Sequence, residues 1–419
     1  IITIEFYLYC TEVFLLDKKK YEDLKRMNFR EVENYILGFL RKDWGIEDSL
    51  SYRVSISALA LVLKETKNKM SMMNYVENNI GDETTLTFLR KVEKEFSKYI
   101  EELSKKFDID TLKAAVLHSE PSRFTEVDAY STPEGITRLV ISLLDLKKDD
   151  SILDLGSGVN SFLIQAAQAS ESQNLYGVEI NTSNVIIANI RRFVLQLPIK
   201  VIQGNVLSQD FTHLSANKVF SNHPLGMRLP DLQNYVSKNP MLKKFFKEAK
   251  RTISGDWIYN MSAYLNMKKP GKAIVLMTNA GTWNKPDEGL RQKLVKEGAI
   301  EGVILLPERL LSTTVTSLTM MILSQNNKEI RMVDASEIYT EGRRQNSLES
   351  ANVERILEAY KNDTNVSKKV TVDEIRKQEY ILNPLRYIDA DISIEDGISL
   401  GKLCLSINRG AMIKSTELD

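Results

Sequence analysis

The stretch Ser151–Gly158 constrains the fold more than any other part of the sequence. An apolar run, Ile152–Leu155, leads directly into a glycine turn, and a second apolar run ends at Val178 and Glu179. The two runs are separated by about 25 residues, the length of one strand-helix-strand unit. The pattern therefore predicts a nucleoside-binding α/β domain.

Short apolar runs and amphipathic stretches alternate after Thr132. Thr132-Pro133-Glu134 is typical of a helix start, since Thr caps, Pro suits the first turn and Glu meets the positive end of the helix dipole. Strands are predicted at Ile152–Leu155, Leu175–Glu179, Lys200–Gln203, Lys218–Ser221, Ala273–Thr278, Ile300–Leu305 and Thr316–Ser324. Helices are predicted at Ser161–Ala169, Thr182–Leu197, Asn239–Met267 and Glu288–Glu297. This alternation predicts a doubly wound, mostly parallel sheet.

The chain divides into four predicted segments. Residues 1–120 carry charged, helical periodicity and form an all-α N-terminal domain. Residues 121–330 form the α/β domain, after an unpatterned linker at Ser119–Ser131 that contains Pro121. A polar extension with helices at Leu348–Asn362 and Val372–Lys377 follows over residues 331–397, and a last segment covers residues 398–419.

Composition excludes several classes of protein. Acidic and basic residues balance at 56 each, so the surface as a whole is not an electrostatic trap for nucleic acid. Only Cys10 and Cys404 are present, which fits a reducing cytoplasm and offers no metal-ligand spacing. The opening run Ile1–Leu16 lacks the features of a secretion signal, and no segment has the ~18 to 20 uninterrupted apolar residues of a membrane span. We expect a cytoplasmic protein with no metal site and no membrane partner.

The predicted ligand site lies at the ends of the first strands. A glycine turn lets backbone approach a ligand, and an acidic residue ending the next strand binds ribose hydroxyls; Gly156, Gly158 and Glu179 fit these roles. No third glycine follows, and Asp154 lies beside the turn, so a cationic nucleoside such as S-adenosylmethionine fits better than a pyrophosphate. Asn205, after the third strand, is placed to accept a hydrogen bond from an adenine amine. A tight turn that binds no ligand is the alternative.

Six ordered blocks of sequence resemble the modification subunit of Type I restriction systems, a family of N6-adenine DNA methyltransferases. The resemblance covers roughly residues 120–325, and the helical N-terminal region suits the same family. The blocks are Tyr130–Glu134, Asp154–Gly158, Gly177–Asn181, Ser221–Gly226, Gly271–Leu276 and Val303–Glu308.

The resemblance implies the class I methyltransferase fold and S-adenosylmethionine as cofactor. In the family, Thr-Pro at the start of the domain holds the methionine end of the cofactor, a role that falls to Thr132 and Pro133. The glycine turn and the acidic residue correspond to Asp154, Gly156, Gly158 and Glu179. The implied substrate is double-stranded DNA with a flipped adenine.

The catalytic loop departs from the family pattern. That loop reads Asn-Pro-Pro-Phe or Asn-Pro-Pro-Tyr, in which the Asn oxygen and a prolyl carbonyl orient the target amine and the aromatic ring stacks on the flipped base. Here Asn222 and Pro224 are kept, while His223 replaces the first proline and Leu225 replaces the aromatic residue. The His223 carbonyl could still accept from the amine, and its ring could replace the stacking surface if it turned toward the base.

Three interpretations of function remain open at this point. The first is an N6-adenine methyltransferase subunit of a restriction-modification-like system. The second is a catalytically impaired relative that acts as a DNA-binding or assembly subunit in a restriction or phage-defence complex. The third is a methyltransferase for another amine, in RNA or protein.

The C-terminal part bears on partners. Tyr380–Ile388 resembles the segment that follows the catalytic domain in the modification subunits. Ile398–Cys404 with Asn408-Arg409-Gly410 resembles the opening of a target-recognition domain, although an ordinary strand and turn would also produce this pattern. The implied partners are a specificity subunit or a C-terminal target-recognition domain, with a restriction subunit as a further candidate.

Overall fold

A computed structural model describes residues 24, 28–46, 49–66, 71–120, 132–246, 253–312, 314–388, 398 and 403. Cys10, Cys404, the opening apolar run, Tyr130, Ser131 and nearly all of the expected recognition-domain start lie outside the described residues. Described residues up to Ile388 belong to one compact unit, and a second unit, residues 389–419, is described only at Ile398 and Leu403.

A nine-stranded sheet forms the centre of the first unit, with strand order β3-β2-β1-β4-β5-β7-β6-β8-β9. The strands are β1 (Ser151–Leu155), β2 (Asn174–Glu179), β3 (Ile199–Gln203), β4 (Lys218–Ser221), β5 (Lys272–Thr278), β6 (Ile300–Leu305), β7 (Leu318–Leu323), β8 (Glu329–Asp334) and β9 (Ser367–Thr371). β1 to β5 pair in parallel, whereas β7 runs antiparallel between β5 and β6. The predicted doubly wound, mostly parallel sheet is confirmed.

The sheet continues past residue 330, where the sequence pattern ends the α/β domain. β8 pairs in parallel with β6, and β9 pairs antiparallel with β8 at the edge. Neither strand was predicted. β9 reads Ser-Lys-Lys-Val-Thr, and a short, lysine-bearing edge strand carries little apolar signal.

Both faces of the sheet are covered, because neighbouring residues on a strand point to opposite sides. Ile152 packs into one apolar cluster, whereas Leu153 and Leu155 pack into another on the opposite face. The α/β helices that flank the sheet are Glu134–Leu144, Ser161–Ser170, Thr182–Val194, Leu229–Val236, Pro240–Phe245, Gly255–Asn266, Glu288–Lys296, Ser350–Lys361, Val372–Lys377 and Leu385–Ile388.

The single helix predicted over Asn239–Met267 is wrong. The described residues form two helices there, Pro240–Phe245 and Gly255–Asn266, and Leu229–Val236 is an additional helix before them. Asn239 caps the first through its side chain, which accepts from the backbone of Met241 and Leu242. An Asn-Pro pair is therefore a helix start here, as its capping chemistry indicates.

Five helices form the described N-terminal region, and its all-α character is confirmed: Arg30–Trp44, Leu50–Thr66, Met72–Ile80, Glu83–Lys106 and Ile109–His118. They share an apolar cluster with Ile186, Ile187 and Ile190 of the helix after β2. The buried Asn189 amide also donates to Thr85 Oγ1 at 3.2 Å. The helical region is thus packed directly on the α/β region, and its expected boundary at residue 120 is not a break in packing.

Candidate active site

A cavity of about 1560 Å³ lies at the carboxyl ends of the central parallel strands. Its lining includes residues that follow each of the first four strands, namely Gly156, Gly158, Glu179–Asn181, Gly204–Val206 and Asn222–Gly226. A typical small-molecule site occupies ~300–1,000 Å³, so this cavity has room for a nucleoside cofactor together with part of a substrate.

The glycine turn after β1 leaves open space beside its backbone. Gly156 and Gly158 have φ angles of +91° and +53°, and a Cβ added at either would meet no atom within 4 Å. The Gly156 N–H donates to Val178 O at 2.9 Å, which ties the turn to the end of β2. Residues with side chains are strained at positive φ, so glycine serves both the turn and close approach to a ligand.

Glu179 holds the turn in place from the end of β2. Its carboxylate accepts the Gly158 N–H at 2.8 Å and the Asn181 N–H at 2.7 Å, one on each oxygen. The side chain is buried, yet it lines the cavity. Each carboxylate oxygen has a further lone pair, which leaves acceptor capacity for hydroxyl donors of a ligand.

Asp154 is placed differently from the other predicted cofactor residues. It is buried, the lining of the cavity does not include it, and its Oδ1 has no hydrogen-bond partner among the described residues. Burial, with the nearby charge of Glu179, raises the pKa of Asp154 well above its usual range. Leu153 and Leu155 face the other side of the sheet, so Asp154 lies on the face that the helix Ser161–Ser170 covers. The structure therefore does not place the Asp154 side chain against a ligand in this cavity.

Thr132 bonds across the cavity instead of capping the helix that follows. The N-cap of the helix Glu134–Leu144 is Pro133, whereas the Thr132 hydroxyl accepts from Asn222 Nδ2 at 3.1 Å. Thr132 and Pro133 both line the cavity. In this orientation the Asn222 amide nitrogen is used by Thr132, and its oxygen is left as an acceptor.

The His223 ring does not replace the missing stacking surface. The residue is 3% exposed, and its ring stacks on Tyr259 with centroids 4.1 Å apart and planes at 10°. Its Nε2 lies 3.3 Å from Asp256 Oδ1. The ring is therefore held from two sides by the helix Gly255–Asn266, and the ring face that stacks on Tyr259 is not available to stack on a base.

Asp256 is the centre of this buried network. Its Oδ2 accepts the backbone N–H of Thr278 at 2.9 Å and also the Thr278 hydroxyl. Burial on its own would raise the pKa of Asp256, but the hydrogen bond and charge of His223 and the bonds from Thr278 bring that pKa below its usual value. Sequence reasoning missed Asp256, Tyr259 and Thr278, because each lies in an apolar stretch far along the chain from the loop that it contacts.

The rest of the loop faces outward. Pro224 is exposed, and Leu225 is partly buried against the apolar cluster that also includes Leu310. Both line the cavity. The loop between β6 and β7 also contributes to the lining, through Arg309 and Leu311.

Two residues complete the end of the cavity near β2 and β3. Asn205 lines it, and its Oδ1 accepts the Leu207 N–H at 2.8 Å, which leaves one lone pair for a ligand. Ile180 follows Glu179 and is 58% exposed, an unusual exposure for a large apolar residue in a cavity lining. Sequence reasoning gave Ile180 no role, and its position directly after Glu179 was the signal that could have identified it.

Among the described residues, no cluster of three or more His, Cys, Asp or Glu side chains is arranged to hold a metal ion. In the same part of the chain, no helix combines the length and apolar character needed to cross a bilayer.

The N-6 DNA methylase family matches residues 122–396 of the chain. The methylase subunit of the type I restriction enzyme MjaVIII from Methanocaldococcus jannaschii is 28% identical over 317 residues, which cover 69% of this chain and 54% of that protein. The MjaVII methylase subunit of the same organism is 27% identical over 294 residues, 64% of this chain and 50% of that protein. The chain thus spans about half the length of the curated relatives it matches.

A solved structure also shares the fold. The methyltransferase subunit of a type I restriction-modification system from Streptococcus thermophilus has a TM-score of 0.59 and 19% identity, covering 88% of this chain and 97% of that chain. The fold of the α/β region is that of class I S-adenosylmethionine-dependent methyltransferases.

Proposed function

The chain belongs to the N-6 DNA methylase family, and from this premise we propose that it is a DNA methyltransferase subunit that modifies the N6 amine of adenine with S-adenosylmethionine. The observation that carries the proposal is a single cavity that joins the glycine turn and Glu179 to the Asn222 loop. A transfer enzyme must bring a donor and an acceptor into one water-poor space.

The cofactor end of the cavity fits S-adenosylmethionine. Gly156 and Gly158 leave space beside the backbone, Glu179 has acceptor capacity for ribose hydroxyls, and the exposed Ile180 offers an apolar surface for the adenine ring. Asn205 would accept from the adenine amine, and Thr132 with Pro133 would border the methionine end. Asp154 lies beneath the turn and would border the cofactor site without touching the ligand.

Asn222 would hold the acceptor amine. Its Oδ1 is free of the Thr132 bond, and the carbonyl of His223 would supply a second acceptor, with Pro224 shaping the loop. S-adenosylmethionine supplies an electrophilic methyl group when bound. The protein's part is to orient the amine so that its lone pair faces that methyl group.

The wall of the cavity that carries Arg309 and Arg344 suits a nucleic-acid substrate. Arg309 and Arg344 both line the cavity, and Arg309 is positioned by a 3.0 Å bond from its Nη2 to Gly342 O. Arginine is the usual partner of phosphate. We propose that this wall meets the backbone of double-stranded DNA beside a flipped adenine, in the cytoplasm.

The partners follow from the relatives, which are named as subunits of type I restriction enzymes. We propose that a specificity subunit, or a target-recognition domain continuing this chain, reads the DNA sequence. A restriction subunit is a further proposed partner.

One observation favours a second candidate function. Leu225 occupies the position of the base-stacking aromatic residue, and loss of a stacked aromatic costs about 1–3 kcal/mol per base. The second candidate is therefore a catalytically impaired relative that binds DNA or supports assembly in a defence complex.

Calorimetry with S-adenosylmethionine tests the cofactor half of the proposal. The protein should bind it, and Glu179→Ala should weaken binding by about 10- to 100-fold, since bonds involving a charged group contribute ~1.5–3 kcal/mol. Glu179→Gln keeps one acceptor oxygen and should lose less. Glu337→Ala, at an exposed position outside the cavity, is the matched control and should bind normally.

Methyl transfer to adenine-containing DNA then separates the two candidates. Transfer of labelled methyl to N6 supports the enzyme. DNA binding with cofactor binding but no transfer supports the impaired subunit, and a folded wild-type protein that binds no S-adenosylmethionine contradicts the leading proposal.

A further inference from the structure

His223 has one ring nitrogen that the protein leaves unsatisfied. Its Nδ1 is buried and has no hydrogen-bond partner among the described residues. Buried polar atoms normally have a partner, and an exception calls for an explanation. The residue lines the cavity next to Asn222, so a ligand in the cavity is the available partner.

The surrounding network fixes which nitrogen carries the proton. Nε2 faces the Asp256 carboxylate at 3.3 Å, and a carboxylate can only accept a hydrogen bond. In the neutral form of the ring Nε2 is therefore the N–H, and Nδ1 then has a free lone pair.

Asp256 is itself held so that it cannot turn away. Thr278, at the end of β5, donates both its backbone N–H and its hydroxyl to Oδ2. Tyr259 stacks on the imidazole, and burial, with the charges of Tyr235 and Asp256, raises the pKa of Tyr259 to about 12, so it adds no charge at neutral pH. A base oriented by a second group that is in turn held by a third is the arrangement that activates proton transfer.

We propose that His223 is a catalytic residue whose Nδ1 accepts the proton released by the target amine, an inference that rests on the proposed function. The amine lone pair forms the new N–C bond while the C–S bond breaks and its electron pair stays on sulfur. The proton leaves the amine nitrogen for Nδ1, and the resulting imidazolium faces the Asp256 carboxylate. Asp256 is then a positioning residue.

This role explains why a histidine suits the loop better than the family's proline. A prolyl residue supplies the same backbone carbonyl but has no proton acceptor. The His223 carbonyl remains in place for the amine, so the substitution adds a function to the loop instead of only loosening it.

Single-turnover methyl transfer by the full chain tests the proposal. His223→Ala keeps the carbonyl and should lower the rate by about 10²-fold or more, the usual contribution of a general base, with S-adenosylmethionine affinity unchanged. His223→Asn places an amide near the position of Nδ1 but takes no proton, and should lose as much. His223→Pro, which restores the family residue, should also be slower than wild type; an equal or higher rate overturns the proposal.

A readout independent of activity accompanies these rates. Selective ¹⁵N labelling of the three histidines, with His223→Asn to assign the signals, should show the protonated Nε2 and unprotonated Nδ1 tautomer at His223. Asp256→Asn should change that tautomer pattern and lower the rate, while thermal melting reports whether the variant is folded. A wild-type ring protonated on Nδ1 at neutral pH overturns the inference.

The outcomes separate this inference from the proposed function. A wild-type protein that transfers methyl groups as fast as His223→Ala contradicts the proton-acceptor role alone. A folded wild-type protein that transfers none contradicts the enzyme and, with it, this role. Added imidazole that restores part of the rate of His223→Ala supports proton transfer, because a loop that has merely lost packing gains nothing from it.

Discussion

Two buried aspartates on neighbouring parts of the same sheet edge have opposite surroundings. Asp154, beneath the glycine turn, has a carboxylate oxygen with no hydrogen-bond partner in the described part of the chain, and a pKa raised by burial and by Glu179. Asp256, beneath the Asn222 loop, meets His223 and two donors of Thr278, and these bonds bring its pKa below the usual value despite its burial. The buried carboxylate near the cofactor half of the cavity thus has fewer hydrogen-bond donors around it than the one near the transfer half, which contains the Asn222 loop.

Asn222→Ala should have the largest effect and should act on the transfer half alone. Removing the oriented amide oxygen should reduce methyl transfer by about 10²–10³-fold, as loss of one preorganised polar group commonly does. S-adenosylmethionine affinity should change little, because Glu179 and the glycine turn are untouched. Rates come from single-turnover assays and affinity from calorimetry.

Thr132→Val is the matched control for that change. It keeps Asn222 but removes the hydroxyl that accepts from its Nδ2 at 3.1 Å, so the rate should fall by only about fivefold, equivalent to the ~1 kcal/mol of a typical hydrogen bond. If Asn222→Ala weakens cofactor binding as strongly as it slows transfer, the two halves are not separate.

Leu225→Phe should improve the half that departs from the family pattern. An aromatic face at this position would stack on a flipped base, and the lower end of ~1–3 kcal/mol per stacked base corresponds to about fivefold tighter DNA binding. Leu311→Phe makes the same change in the loop between β6 and β7, which also lines the cavity, and should bring no such gain. Equal gains from both would mean that added apolar surface, and not a specific stacking position, is responsible.

Much of the fold was predictable because parallel strands buried on both faces are continuous apolar runs. β4 and β6 match their predicted bounds, Lys218–Ser221 and Ile300–Leu305. The elements that were missed do not contain such a continuous apolar run. β9 is a polar edge strand, and no helix was predicted over Leu229–Val236.

The candidate site was predictable only as far as residues adjacent in sequence to strand ends. Gly156, Gly158, Glu179, Asn205 and Asn222 line one cavity, as their positions indicated. The network around His223 was not predictable, since its partner Asp256 is 33 residues away and Thr278, which binds Asp256, lies on the next strand of the sheet. Asp154 was assigned to the cofactor site from its position beside the turn, whereas its side chain is buried and does not line the cavity.

Asp154→Asn should have the smallest effect. It should change stability and not methyl transfer, and its effect on the pH dependence of stability should have the opposite sign to that of Asp256→Asn. The raised native pKa means that the folded protein binds more protons than the unfolded chain above the ordinary Asp pKa. This contribution to stability is complete at low pH and is lost as pH rises through the native pKa. Asp154→Asn should therefore flatten the decline of melting temperature with rising pH. At pH 7 it should raise the free energy of unfolding by about 1 kcal/mol, because it removes a buried carboxylate oxygen that has no partner among the described residues.

Asp256 has a lowered native pKa, so its contribution is present above the ordinary Asp pKa and is lost as pH falls through the native value. Asp256→Asn should consequently lower the melting temperature at pH 7 and remove part of the loss of stability on acidification. Melting curves by circular dichroism from pH 4 to about 8 would show both slopes. Slopes of the same sign for the two variants would mean that the surroundings of the two aspartates do not shift their pKa values in opposite directions.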